Sequence, residues 1–165
     1  MKVVHKKVAE KQKSLLVYAD WNCTTGFGAV AKELVNEWAK DKKLSIVIFG
    51  INDLSTKVYD YLPNVKVIPA LITGDENSKK DIYRRIELLK LIYQSDFDAL
   101  FFLQDVEVIN TMEEQLRDVK NTKRKENRPN FKSMIYFPVD SEPRLSDLKV
   151  LQFFDEVVTY TQYAK

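Results

Sequence analysis

The feature that most constrains this chain is a series of short, almost wholly apolar runs, each cut off by a polar residue or a chain breaker. Residues 14–19 read SLLVYA and meet Asp20. Residues 44–49 read LSIVIF and meet Gly50, residues 99–103 read ALFFL and meet Gln104 and Asp105, and residues 133–139 read SMIYFPV and meet Asp140. A strand with one face in water alternates apolar and polar side chains, whereas a strand buried on both faces reads as a continuous apolar run. Between such runs lie segments of helical period, such as Val30, Ala31, Leu34, Val35 and Trp38 within residues 29–40. Strands that alternate with helices, joined by right-handed crossovers, give an α/β domain with a doubly wound, mainly parallel sheet and helices on both faces. We expect six strands, the third at residues 65–68 and the sixth at 156–161. Ligands of such sheets bind outside the carboxyl ends of the strands.

The remaining segments carry weaker signals. Residues 54–62 read as a short helix. Residues 78–94 read as the clearest helix, with Ile82, Ile86, Leu89 and Tyr93 along its buried stripe. Thr111 and Glu114 have the spacing of a capping box that opens another helix, and residues 145–154 read as the last. The lysine-rich residues 1–13 read as a flexible lead-in, which leaves residues 14–165 as one domain, in keeping with a length of 165. A compact domain rarely ends on a core strand, so the stop at Lys165, just past the sixth strand, implies a second domain beyond it.

Charge and cysteine narrow the function classes. A formal charge of +2 gives no global reason to bind nucleic acid. The single cysteine, Cys23, excludes an intrachain disulfide and fits a reducing, cytoplasmic setting. No run approaches the ~20 apolar residues that span a bilayer. The basic stretch Arg117, Lys120, Lys123, Arg124, Lys125, Arg128, Lys132 reads as a solvated helix end and loop, although it allows a peripheral membrane contact.

Two sets of residues are candidates for chemistry. The first is the loop TTGFG between strand one and helix one: Thr25, Gly26, Phe27 and Gly28. Glycines permit close backbone approach, and a helix start offers N–H groups and a positive dipole end to a phosphate or an anionic sugar group. The plainer alternative is a turn with Thr25 as helix N-cap. The second set is the carboxylates at strand exits, Asp20, Asp53, Asp105 and Asp140, which suit sugar hydroxyls, acid–base work or a metal. Asp105 and Asp140 are favoured, since each follows a buried strand. Discounted are Asp96 and Asp98, whose DxD pattern lies before a strand rather than after it. Also discounted are Cys23, which has no base in sight, and His5, the only histidine, which lies in the lead-in. A lone histidine there supports neither a nucleophile triad nor a zinc cluster.

Three segments together resemble the N-terminal half of GT-B-fold glycosyltransferases of the family 4, glycogen-synthase-like type: YADWNCTTGFGAVAKELVNEW, DFDALFFLQD, and YFPVDSEPRLSDLKVLQFFDEVVTYTQYAK. The resemblance spans residues 15–165. It implies a Rossmann-like domain facing a second such domain, here absent, that carries the E-x7-E motif and holds most of a nucleotide-sugar donor. It further implies a retaining transfer to a sugar, glycan or lipid-linked acceptor, with no cofactor and no metal. Thr25, Gly26, Phe27 and Gly28 would then meet the donor's phosphates or sugar, and Asp20, Asp105 and Asp140 would border the acceptor cleft. These 165 residues alone would be inactive. Many members carry a histidine near the exit of the fourth strand, and this chain has none there.

Two other readings remain open. One is a free-standing flavodoxin- or receiver-like binding domain. A receiver needs an acid pair after strand one and a lysine after strand five, where this chain has Asp20 alone and no lysine near Asp140. The other is the nucleotide-binding half of an NAD-dependent oxidoreductase, since residues 26–31 match G-x-G-x-x-A and Asp53 is a candidate ribose acid. That fingerprint places its first glycine at the strand end, whereas here WNCTT intervenes after Asp20.

Overall fold

The computed structural model describes residues 12–70, 81–139 and 144–159. In chain order the elements are β1 (Lys13–Asp20), α1 (Gly26–Trp38), β2 (Leu44–Ile51), β3 (Tyr59–Leu62), β4 (Val65–Pro69), α2 (Arg85–Gln94), β5 (Ala99–Leu103), α3 (Val106–Asn110), α4 (Glu113–Lys125), β6 (Lys132–Phe137), α5 (Leu145–Leu151) and β7 (Glu156–Thr159). They form one seven-stranded sheet in the order β3-β4-β2-β1-β5-β6-β7. Every neighbouring pair is parallel except the β3–β4 hairpin. Counting only the parallel strands, the order is 3-2-1-4-5-6, that of a Rossmann-like doubly wound fold, and it reverses between β1 and β5.

The continuous apolar runs have the predicted cause. On one face Leu16, Tyr18, Phe49, Leu100, Phe102 and Ile135 pack beneath α2, α3, α4 and α5. On the other, Val17, Ala19, Ile48, Val67, Phe101 and Leu103 pack beneath α1 through Ala31 and Val35. Within the runs, Leu16, Phe101 and Ile135 are buried and Val47 is half-buried.

Several local expectations give way. Within residues 54–62 the structure has the strand β3, not a helix. Tyr59 and Tyr61 pack inward beside Trp21 while Asp60 faces out, a period of two that a short segment hides. The turn after β3 is clipped by Asn64, whose Nδ2 donates to the carbonyls of Ala39, Asp41 and Leu44 at 2.9–3.2 Å. The sheet therefore gains a seventh strand.

The helix expected from residue 78 begins only at Arg85. Residues 78–80 lie outside the described set, and Arg84 sits in left-handed backbone at φ 49°. The Asp81 carboxylate accepts the Arg85 N–H at 2.8 Å and closes the helix start instead. The buried line is Leu88 and Ile92, whereas Ile82 and Ile86 are more than half exposed. The capping box at Thr111 does not form. The Thr111 hydroxyl donates to the Val108 carbonyl at 2.6 Å, closing the short α3, and Met112 takes the N-cap position of α4.

Polar clasps lock the amino ends of the strands. Asp98, just before β5, accepts the backbone N–H of Ser14 at 2.8 Å and its hydroxyl at 3.0 Å. Asp155, just before β7, does the same for Ser133 at 2.8 and 3.1 Å. Asp96 pairs with Lys123 and Arg128. The DxD carboxylates thus serve the fold. Lys123 is not solvated as expected: it is fully buried, and donates to the Ser95 carbonyl at 2.7 Å as well as to Asp96.

Candidate functional site

The carboxyl end of β1, at the strand-order reversal, gathers most of the residues singled out from the sequence. β1 continues into Trp21, whose N–H donates to the Ile51 carbonyl at 2.8 Å. The chain then turns through Asn22 in left-handed backbone (φ 55°) and enters α1 at Thr25, an N-cap with extended backbone. The Thr25 hydroxyl accepts the Gly28 N–H at 3.0 Å and donates its own proton to Asp20 Oδ2 at 2.7 Å. That side chain is therefore spent inside the protein, as N-cap and as a tie to β1.

The two loop glycines differ. A β-carbon on Gly28 would lie 2.9 Å from the Cys23 carbonyl oxygen, 3.0 Å from Cys23 Sγ and 3.3 Å from Thr25 Oγ1. Its smallness is required by the loop's own packing. A β-carbon on Gly26 would meet nothing within 4 Å. The first N–H groups of a helix have no partner within it. With Gly28 capped by Thr25, the amides of Gly26 and Phe27 remain at the mouth of the loop.

Asp20 is 7% exposed and accepts from three elements. Besides Thr25, Asn52 Nδ2 donates to Oδ1 at 3.2 Å from the end of β2, and Gln104 Nε2 donates to Oδ1 at 3.3 Å from the end of β5. Asn52 reaches back because its backbone is left-handed at φ 59°. Asp20 is thus the knot that joins three crest loops. Asn52 and Gln104 were missed in the sequence. Gln104 carried a legible signal, a polar residue at the immediate end of an apolar run.

Asp53 is fully buried. It accepts the Ser55 N–H at 2.9 Å, the Ser55 hydroxyl at 2.7 Å and the Tyr59 hydroxyl at 2.7 Å. Burial alone would raise its pKa, but the hydrogen bonds from Ser55 and Tyr59 outweigh it and hold the carboxyl below its usual range. The Tyr59 hydroxyl also accepts Trp21 Nε1–H at 3.2 Å, and burial together with the Asp53 carboxylate pushes its pKa up to about 12. Asp105 follows Gln104 at the crest, at the N-cap of α3, and is exposed. Its carbonyl accepts from Val108 at 3.1 Å. Asp140 lies outside the described residues. Cys23 is half-buried, with Sγ 3.3 Å from Thr25 Oγ1.

The crest thus offers the first two amides of α1, the exposed Asp105 and a polar floor centred on Asp20. Among the described residues, no three His, Cys, Asp or Glu side chains converge as metal ligands. No described helix is long and apolar enough to cross a membrane. Comparison with known proteins adds no relative: no family model and no curated protein matches the chain.

Proposed function

We propose that this domain is the acceptor-side half of a retaining glycosyltransferase that draws on a nucleotide-sugar, with its crest turned toward donor and acceptor. The observation that carries the reading is the position of the glycine loop. The amides of Gly26 and Phe27 open at the start of α1, next to β1 at the strand-order reversal, where doubly wound sheets take their ligands. In this reading the main chain of Gly26 and Phe27 meets the donor's phosphates. Thr25 and Gly28 shape the loop, with Thr25 tied to Asp20. Asp105 is the carboxylate facing the acceptor, a sugar, glycan or lipid-linked group. The oxidoreductase alternative is weakened because the Asp53 oxygens are already engaged by Ser55 and Tyr59.

The test is an amide-resolved NMR titration of the 15N-labelled chain with UDP-glucose, ADP-glucose and NAD+. The expected result is a weak perturbation of Gly26 and Phe27 by one or both nucleotide-sugars, without hydrolysis of either. Tighter binding of NAD+ at the same amides, or silence of both amides toward every nucleotide-sugar tried, overturns it.

A further inference from the structure

At the other end of the sheet, between α4 and the turn that leads into β7, lies a cavity of about 340 Å3 lined by Arg117, Lys120, Asn121, Gln152, Phe153 and Asp155. It opens near the amino ends of β6 and β7, since the Asp155 N–H donates to the Ser133 carbonyl at 2.9 Å. A strand length of ~20 Å separates those ends from the crest. Nothing in the proposed transfer uses it.

Its cations are held in place. Lys120 Nζ sits 5.2 Å from the centre of the Phe153 ring and 5.5 Å from that of Phe131, and the Arg117 guanidinium sits 5.7 Å from that of Phe153. Both rings are buried, so each cation rests on a fixed apolar platform. Among the described residues Arg117 gives only its Nε–H, to Glu113, which leaves both Nη groups for an outside acceptor. Lys120 lies 3.5 Å from Asp155 Oδ2, a loose pairing, because that carboxylate is already occupied by Ser133 and is shared with Lys132. Arg117, Lys120 and Lys132 therefore stand against Glu113 and Asp155, three positive charges to two negative. The exposed carboxamides of Asn121 and Gln152 add neutral donors at the rim.

We propose that this cavity binds a small phosphate monoester. The volume is at the small end of ligand pockets, which suits a compact metabolite. A tetrahedral dianion presents three oxygens, matching the Arg117 fork, the Lys120 ammonium and one carboxamide. A monoanionic carboxylate would leave one of those donors without a partner. Occupation would tie the middle of α4 to the turn before β7 by bonds absent from the protein alone.

The test is a titration of the 15N-labelled chain with glycerol 3-phosphate at low ionic strength, with glycerol as the uncharged control. The expected result is saturable shifts of the Asn121 and Gln152 side-chain amides, with a Kd on the order of 1 mM that rises with added salt. Lys120→Gln and Arg117→Lys should each weaken binding about tenfold, while Lys125→Gln, elsewhere on α4, should leave it unchanged. Far-UV circular dichroism verifies that each variant is folded, and the salt dependence of the unmodified chain tests the idea independently of any variant. Absence of shifts at 20-fold the expected Kd, equal shifts with glycerol, or binding unaffected in both folded variants overturns the proposal and leaves the cations as covers for Phe131 and Phe153. The outcome does not depend on whether the crest binds nucleotide-sugars.

Discussion

Alanine at Gly28 and alanine at Gly26 should have opposite effects, although both replace a glycine in the first turn of α1. At Gly28 the new methyl lies 2.9 Å from a backbone oxygen, that of Cys23, which no side-chain rotation can move aside. Relief requires the 21–25 loop or the start of α1 to shift, a form of overpacking that costs about 1–3 kcal/mol. The shift also lengthens the Gly28 N–H bond to Thr25, an N-cap interaction of about 1 kcal/mol. Alanine's better helix propensity returns about 1 kcal/mol. The net expectation for Gly28→Ala is a loss of about 2 kcal/mol, or a fall in Tm of roughly 4–8 °C for a domain of this size. At Gly26 the methyl enters open space, only the propensity term acts, and the change should lie between zero and about +1 kcal/mol. Thermal and urea unfolding of the two variants beside the unmodified chain measure this directly. Equal stability of the two variants would refute the claim that Gly28 is dictated by the loop's own packing, and would return it to the set of residues kept small for a ligand.

Two further outcomes follow from the polar floor. Asp20→Ala removes the acceptor of Thr25, Asn52 and Gln104 together, so urea unfolding should show a loss of about 3 kcal/mol, well beyond that of an exposed carboxylate; a loss under about 1 kcal/mol would mean that the knot holds little. Tyr59 has a folded pKa of about 12, above the ~10 of an unfolded tyrosine. Its contribution is therefore complete below pH ~10 and is lost as pH rises through the folded value. Absorbance titration at alkaline pH should show one late-ionising tyrosine fewer in Tyr59→Phe, and an unchanged curve would contradict the Asp53–Tyr59 pairing.

The fold was largely legible because buried parallel strands leave an unmistakable trace. The runs beginning at Ser14, Leu44 and Ala99 all became central strands within two residues of their expected bounds. What escaped was structure set by partners distant in sequence. β3 has four residues and is a strand only because Val65–Val67 lies beside it. The buried side of α2 was misjudged because Ile82, Ile86, Leu89 and Tyr93 make as good a stripe as Leu88 and Ile92 until the sheet is present to choose. At the crest, Asp20, Thr25 and Gly26 were visible as loop residues after a strand. The hydrogen bonds that Asp20 accepts from Asn52 and Gln104 were not, since those partners lie 32 and 84 residues away.

The serine clasps at the amino edge have a bearing on how the strands find one another. A strand apolar on one side only reports its own alignment, because sliding by one position turns that side into water. β1 and β5 are apolar on both sides, so sliding by one position exchanges one greasy face for another and goes nearly unpunished. The chain must therefore store alignment in something other than hydrophobicity. Asp98 closing on Ser14 at one end of β1, and Gln104 closing on Asp20 at the other, act as two index marks: both fit when Leu16 faces Leu100, and a slip in either direction breaks both. Asp155 on Ser133 repeats the mark for β6 and β7. A variant lacking the marks, such as Asp98→Ala combined with Gln104→Leu, would keep every greasy contact and lose the information that makes one alignment unique.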